Sequence, residues 1–227
     1  MIKEILSVFK SNSYMDRAYQ RSFEMLDITQ EMFLKAKEVL RNSDTNELDI
    51  DINDEDHKVN KYQREVRKDV FNHLVMSGVA ELSSGLVLVS IVIDLERIGD
   101  LTKNIVEIAQ AHPLKLIGGK FEEELAKIEN AVEENFALTI KCFKESDEEL
   151  GRKIVTEYKW VSKSCDSILV SLMKSEDPSL DSGTAVSMAL YLRALKRINS
   201  HLRNVASSVV NPFHRIGYKP KKNKKNS

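Results

Sequence analysis

Residues Leu82 to Glu107 read LSSGLVLVSIVIDLERIGDLTKNIVE, and the periodicity of this stretch decides the fold class. At 100° per residue, Leu82, Leu86, Val89 and Ile93 fall in one narrow stripe, the pattern of a helix with a core face. The same three- and four-residue steps then reach Glu96, Asp100, Asn104 and Glu107. The expected core face therefore changes from apolar to acidic halfway along a single helix. A second apolar set, Val87, Ile91, Leu95, Ile98, Leu101 and Ile105, covers much of the remaining circumference and predicts a central place in a bundle. Buried carboxylates need a metal, a basic partner or a water-filled groove to offset their desolvation. The acidic half of the stripe is thus the first candidate site.

On either side, segments of roughly thirty residues rich in helix formers are punctuated by Gly78, Pro113, Gly118-Gly119, Pro178, Gly183 and Pro212. They predict six long helices near 13–42, 45–77, 81–111, 120–145, 147–176 and 182–210, with a short helix at 2–9. Ser146-Asp147 and Asp181-Ser182 are the expected N-caps. Strand-like alternation is confined to Leu48–Ile52, too short to outweigh its surroundings, and the class is all-α.

The 227 residues suffice for a sizeable core. With 34 basic and 35 acidic residues the charge is balanced, which argues against a dedicated nucleic-acid binder. Cys142 and Cys165 are far apart and form no CxxC pair, which fits a reducing compartment and neither a disulfide framework nor zinc. The first ten residues do not read as a signal peptide, and the nearly uncharged run Leu82–Ile93 is about half the length of a membrane span. A cytoplasmic protein is expected.

An internal repeat lies at an offset of one hundred. Residues 95–107 (LERIGDLTKNIVE) over 195–207 (LKRINSHLRNVAS) match Leu, Arg, Ile and Asn, with Ile105 and Val205 a conservative pair. Ser43-Asp44 before the second helix corresponds to Ser146-Asp147 before the fifth. The reading is a duplicated three-helix unit: 1–114 with the short N-terminal helix, 115–213, and a Lys-rich disordered tail at 214–227. On the polar stripe Glu96, Asp100 and Glu107 become Lys196, Ser200 and Ser207, and only Asn104 persists, as Asn204. The second copy has lost its acids.

The segment Asp94-Leu-Glu-Arg-Ile-Gly-Asp100-Leu-Thr-Lys-Asn104-Ile resembles the ERIGD…NI signature of the PhoU family, and Asp56-His-Lys-Val59-Asn60 is similar to that family's D-x-x-V-D/N element. The resemblance extends over about residues 13–211. It implies two tandem, similar three-helix bundles in a non-enzymatic regulator of phosphate uptake and phosphate-starvation signalling. The implied partners are a phosphate transporter ATPase or a sensor histidine kinase at the cytoplasmic membrane face, with room for a homodimer and no role for nucleic acid. Carried over, the family's metal-associated E-x-x-x-D pair falls on Glu96 and Asp100. Asn60 and Gln63 stand where the family often has further acids, and Ser162 and Ser164 take the comparable places in the second repeat. Amides and hydroxyls hold cations poorly. A divalent or iron-type metal is therefore expected at the first repeat only and weakly bound, beside a polar groove of Asn60, Gln63, Asn104 and Glu107.

Competing readings are weaker. Asp44–Asp56 holds seven acids and no base, yet Asp54 and Asn60 occupy the places where a calcium loop needs Gly and Glu. None of the five histidines sits in E-x-x-H spacing, which argues against a carboxylate-bridged di-iron enzyme. No phosphate-binding glycine loop or nucleophile elbow is present. Five lysines among Lys219–Ser227 would serve as a solubilising end or touch an anionic surface. An accessory subunit of another phosphate or cation permease is the alternative function.

Overall fold

A computed structural model describes residues 13–43, 51–112 and 114–220 of the chain. Among these it shows helices α1 (Tyr14–Asn42), α2 (Ile52–Ser77), α3 (Leu82–Ala111), α4 (Glu122–Glu145), α5 (Glu148–Glu157), α6 (Lys159–Met173) and α7 (Ser182–Val210), and no strand. The two expected caps are present: Asp147 accepts from the amide of Leu150 and Asp181 from that of Thr184, while at the start of α1 Ser13 accepts from the amide of Asp16 in a reciprocal capping box. The second helix begins at Ile52 rather than near 45, with Asp51 accepting from the amides of Asn53 and Asp54 at 2.9 and 3.1 Å. Residues 44–50 and the expected helix at 2–9 lie outside the described residues.

The helix expected over 147–176 is interrupted at Tyr158, and the cause lies on α7. Asn199 donates to the carbonyl of Tyr158 at 3.0 Å, and Arg203 donates to that of Val155 at 2.8 Å. Side chains inserted into the backbone ladder in this way kink a helix.

Helices α1, α2 and α3 form one bundle and α4 to α7 the other, joined through equivalent members: α1 packs on α4, and α3 on α7. Both pairs run antiparallel. Phe33 stacks on Phe136 with centroids 5.2 Å apart, and Phe23 meets Phe143 edge-on at 5.3 Å. Arg41 binds Glu129 at 2.9 Å and also reaches Glu122 and the Leu116 carbonyl, while the Tyr191 hydroxyl donates to Glu129 at 2.8 Å. Between α3 and α7, Asp94 Oδ1 accepts from Asn204 at 3.0 Å and lies 2.7 Å from His201 Nδ1. One hydrophobic core runs through both bundles. The duplication is visible in it: Leu95 and Leu195, Ile98 and Ile198, and Ile105 and Val205 are all fully buried.

The inward face of α3 differs from the expected one. Leu88, Ile91, Val92, Leu95, Ile98 and Ile105 are buried, whereas Leu82 and Ile93 are 42% and 41% exposed and Leu86 and Val89 only partly covered. The stripe that turns acidic is thus the outward one. A helix with two apolar stripes offers periodicity for both, and the one that stays apolar along the whole length meets α1, α2 and α7.

Residues 212–220 fold back along α7 instead of leaving it. The Gly217 amide donates to Ser207 Oγ at 2.7 Å, and Asn211 Nδ2 donates to the carbonyls of Arg215 and Tyr218 at 3.0 and 2.7 Å. Gly217 turns at φ 83°, where a Cβ would also lie 3.1 Å from Asn204 Oδ1.

Candidate functional site

The outward face of α3 is walled on one side by α2 and on the other by α7, and the four polar stripe residues divide between the two walls. Glu96 and Asp100 lie on the α2 side. Their nearest counter-charge is Arg97, 3.6 Å from Glu96 and 3.3 Å from Asp100. Across on α2, Asp56 is buried, with a side chain 5% exposed. Its Oδ2 accepts from Lys103 Nζ and from Asn60 Nδ2, each at 3.1 Å, while its Oδ1 is enclosed without a partner. Gln63 is buried and Asn60 half-buried on the same helix. Partial burial raises the Glu96 carboxyl above its ordinary range; the Asp100 charge adds to this, Arg97 opposes it, and Asp56 and Arg67 contribute smaller effects of opposite sign.

Three acids and three cations therefore balance within one groove. The orphaned Asp56 oxygen and the partly desolvated Glu96 carboxylate are features a bound cation would relieve. The donor set nevertheless does not fit a metal cage: Lys103 and Arg97 hold the carboxylates, the remaining neighbours are amides, and among the described residues no three His, Cys, Asp or Glu side chains converge. Gly99 leaves only ordinary room, since a Cβ there would sit 3.6 Å from Val59 and 3.7 Å from Asp56 Oδ1.

Asn104 and Glu107 are exposed on the α7 side, away from Asn60 and Gln63. They border a groove of about 530 Å³ between the bundles, floored by Leu101 and Ile108 and edged on α7 by Leu190, Arg193 and Arg197. The polar groove expected from sequence is thus two separate places. In the second repeat, Lys196 takes the position of Glu96 and binds both oxygens of Asp166 at 2.6 and 2.7 Å, and Ser200 bonds back to its own helix.

Sequence reading missed the apolar end of this surface. Phe71, Val75 and Met76 on α2 are two-thirds or more exposed, and the antiparallel register that sets Val70 and Leu74 against Gly85 brings them to the same end of the hairpin as Leu82 and Leu86. The signal was present in the stripe itself, assigned to the wrong side. Cys142 and Cys165 are buried free thiols, pushed up to about 12 by that burial, and take no part. No described helix is long and apolar enough to cross a membrane.

Fold and site together define an internally duplicated protein of two helical bundles. The PhoU domain model matches it twice, over residues 23–109 and 125–209. The chain belongs to the PhoU family. The crystal structure of PhoU from Pseudomonas aeruginosa superposes with a TM-score of 0.76 at 20% identity, covering 87% of this chain and 95% of that one. The phosphate transport system regulatory protein PhoU from Streptococcus pneumoniae superposes with a TM-score of 0.76 at 17% identity, covering 86% and 93%. No curated protein is significantly similar in sequence.

Proposed function

We propose that this chain is a non-enzymatic regulator of phosphate uptake and phosphate-starvation signalling that works by docking to a transporter ATPase or a sensor histidine kinase. Membership of the PhoU family supports the phosphate context. The observation that supports the docking mode is the exposed apolar end of the α2–α3 hairpin, Phe71, Val75, Met76 and Leu82, followed along α3 by the exposed Ile93 and then by the acids Glu96 and Asp100. Exposed apolar surface rimmed by charge is the composition of a protein-binding site. The acids there are held by the chain's own cations, so the face presents orientation and specificity rather than reactive groups.

The test is affinity capture of the full chain from native cells, membrane fraction included, with mass-spectrometric identification. Recovery of a phosphate-transport ATPase or its sensor kinase is expected, and the double variant Phe71→Ser/Ile93→Ser should lose it while keeping its helical content. Capture of a different permease moves the chain to an accessory-subunit role. Undiminished capture by the double variant moves the docking surface elsewhere.

A further inference from the structure

The last turns of α2 outrun α1. Arg21 on α1 meets Glu65 at 2.7 Å and Arg17 meets Asp69 at 2.9 Å, so each step back along α1 is a step forward along α2. The next such step sets Ser13, the N-cap that ends α1, level with His73. Met76 continues the helical stripe of Glu65 and Asp69 to a level where α1 no longer runs alongside. It is 76% exposed, and Phe71 and Val75 on the neighbouring stripe are 67% and 70% exposed. Three large apolar side chains therefore stand bare just where the covering helix stops.

Residues 1–12, which lead into Ser13, read MIKEILSVFKSN. Ile2, Ile5, Leu6 and Phe9 recur at the spacing of one helix face, with Lys3, Glu4, Ser7 and Lys10 on the other. So short a helix does not hold by itself in water and needs an apolar surface to fold upon. The reach is sufficient. Four residues separate Phe9 from Ser13 and span up to about 13 Å. Met76 lies three residues beyond His73, about 4.5 Å along α2, and packed helix axes are about 8–10 Å apart. Eight helical residues extend about 12 Å, more than the rise of about 7.5 Å from Phe71 to Met76.

We propose that Ile2–Phe9 folds as a two-turn amphipathic helix onto Phe71, Val75 and Met76 of its own chain. The attachment at Ser13 delivers the segment to this end of α2, and its apolar stripe matches what is bare there. The segment is then the resting occupant of the apolar end, and a protein that docks there has to displace it. The inference bears on the docking reading above without resting on it.

The experiment compares two methionines of the full chain. Met76 and Met173 are 76% and 77% exposed, and Met173 closes α6 in the other bundle. Oxidation of a thioether by hydrogen peroxide follows its exposure, and peptide mass spectrometry reads the rate at each site. Met76 should be oxidised several-fold more slowly than Met173, at every protein concentration. The difference should vanish in Ile5→Ser/Phe9→Ser and persist in Lys3→Ser/Lys10→Ser. All four substitutions lie outside the seven helices, and circular dichroism checks that helical content is kept. Equal rates in the parent overturn the proposal, as does protection that Ile5→Ser/Phe9→Ser retains. Protection that fades on dilution assigns the cover to a second copy and overturns the intramolecular arrangement. Partner capture plays no part in the readout, so failure here leaves the docking reading standing.

Discussion

Lys103 Nζ on α3 lies 3.1 Å from Oδ2 of the buried Asp56 on α2, so an ammonium group neutralises the acid that faces Glu96 and Asp100. Removing one partner of such a pair leaves an uncompensated charge, whereas removing both costs little. Lys103→Met should lower stability by about 1–3 kcal/mol, discounted for the exposed part of the lysine, and Lys103→Met/Asp56→Leu should recover most of it. Thermal denaturation checks both.

Glu96 carries a pH signature. Its folded carboxyl titrates above the unfolded one, owing first to burial and then to Asp100. The folded state therefore holds the proton more tightly, and stability contributed by this group declines as pH rises from the ordinary carboxylate range through the raised folded value. Glu96→Gln removes that decline. The variant should melt about 1–2 °C above the parent at pH 7, a few tenths of a kcal/mol for a chain of this length, and should lose the advantage at pH 4. An equal gain at both pH values would place the cause in packing.

Two helical glycines should answer oppositely to alanine. At Gly151 a Cβ would stand 2.9 Å from Val210 and 3.1 Å from the Ala206 carbonyl, so Gly151→Ala should cost about 1–3 kcal/mol by forcing α5 from α7. At Gly99 the nearest atom would be 3.6 Å away, and Gly99→Ala should be neutral or gain up to about 1 kcal/mol from helix propensity. Urea denaturation of the pair is the measurement.

Asn199 ties three elements together inside the second bundle. Its Oδ1 accepts from Asn135 at 2.9 Å, its Nδ2 donates to Tyr158, and Asn135 in turn accepts from Thr139 at 3.1 Å. Asn199→Ala orphans a buried amide and a carbonyl together, and a loss of about 2–4 kcal/mol is expected in chemical denaturation. A loss below 1 kcal/mol would mean that water replaces the side chain.

The caps of the last helices and the duplication were legible because their causes are local: Asp147 and Asp181 cap within three residues, and a hundred-residue offset needs no tertiary knowledge. The outward side of α3 was not, since Leu82, Leu86, Val89 and Ile93 repeat as regularly as the true core stripe and only α1, α2 and α7 decide between them. The kink at Tyr158 depends on Asn199 and Arg203, which lie 41 and 48 residues from the carbonyls they take. Asp56 was read as part of a motif, while its ion pair with Lys103 spans 47 residues and carries no local trace.

The pairing of equivalent helices, α1 on α4 and α3 on α7, has an evolutionary implication. Antiparallel contact between like elements is the geometry of a two-fold axis. A single ancestral unit would have left the inner faces of its first and third helices bare, and an identical copy is the natural cover for them. Fusion frees each half to vary independently, and Glu96 on one side of that axis stands where Lys196 does on the other.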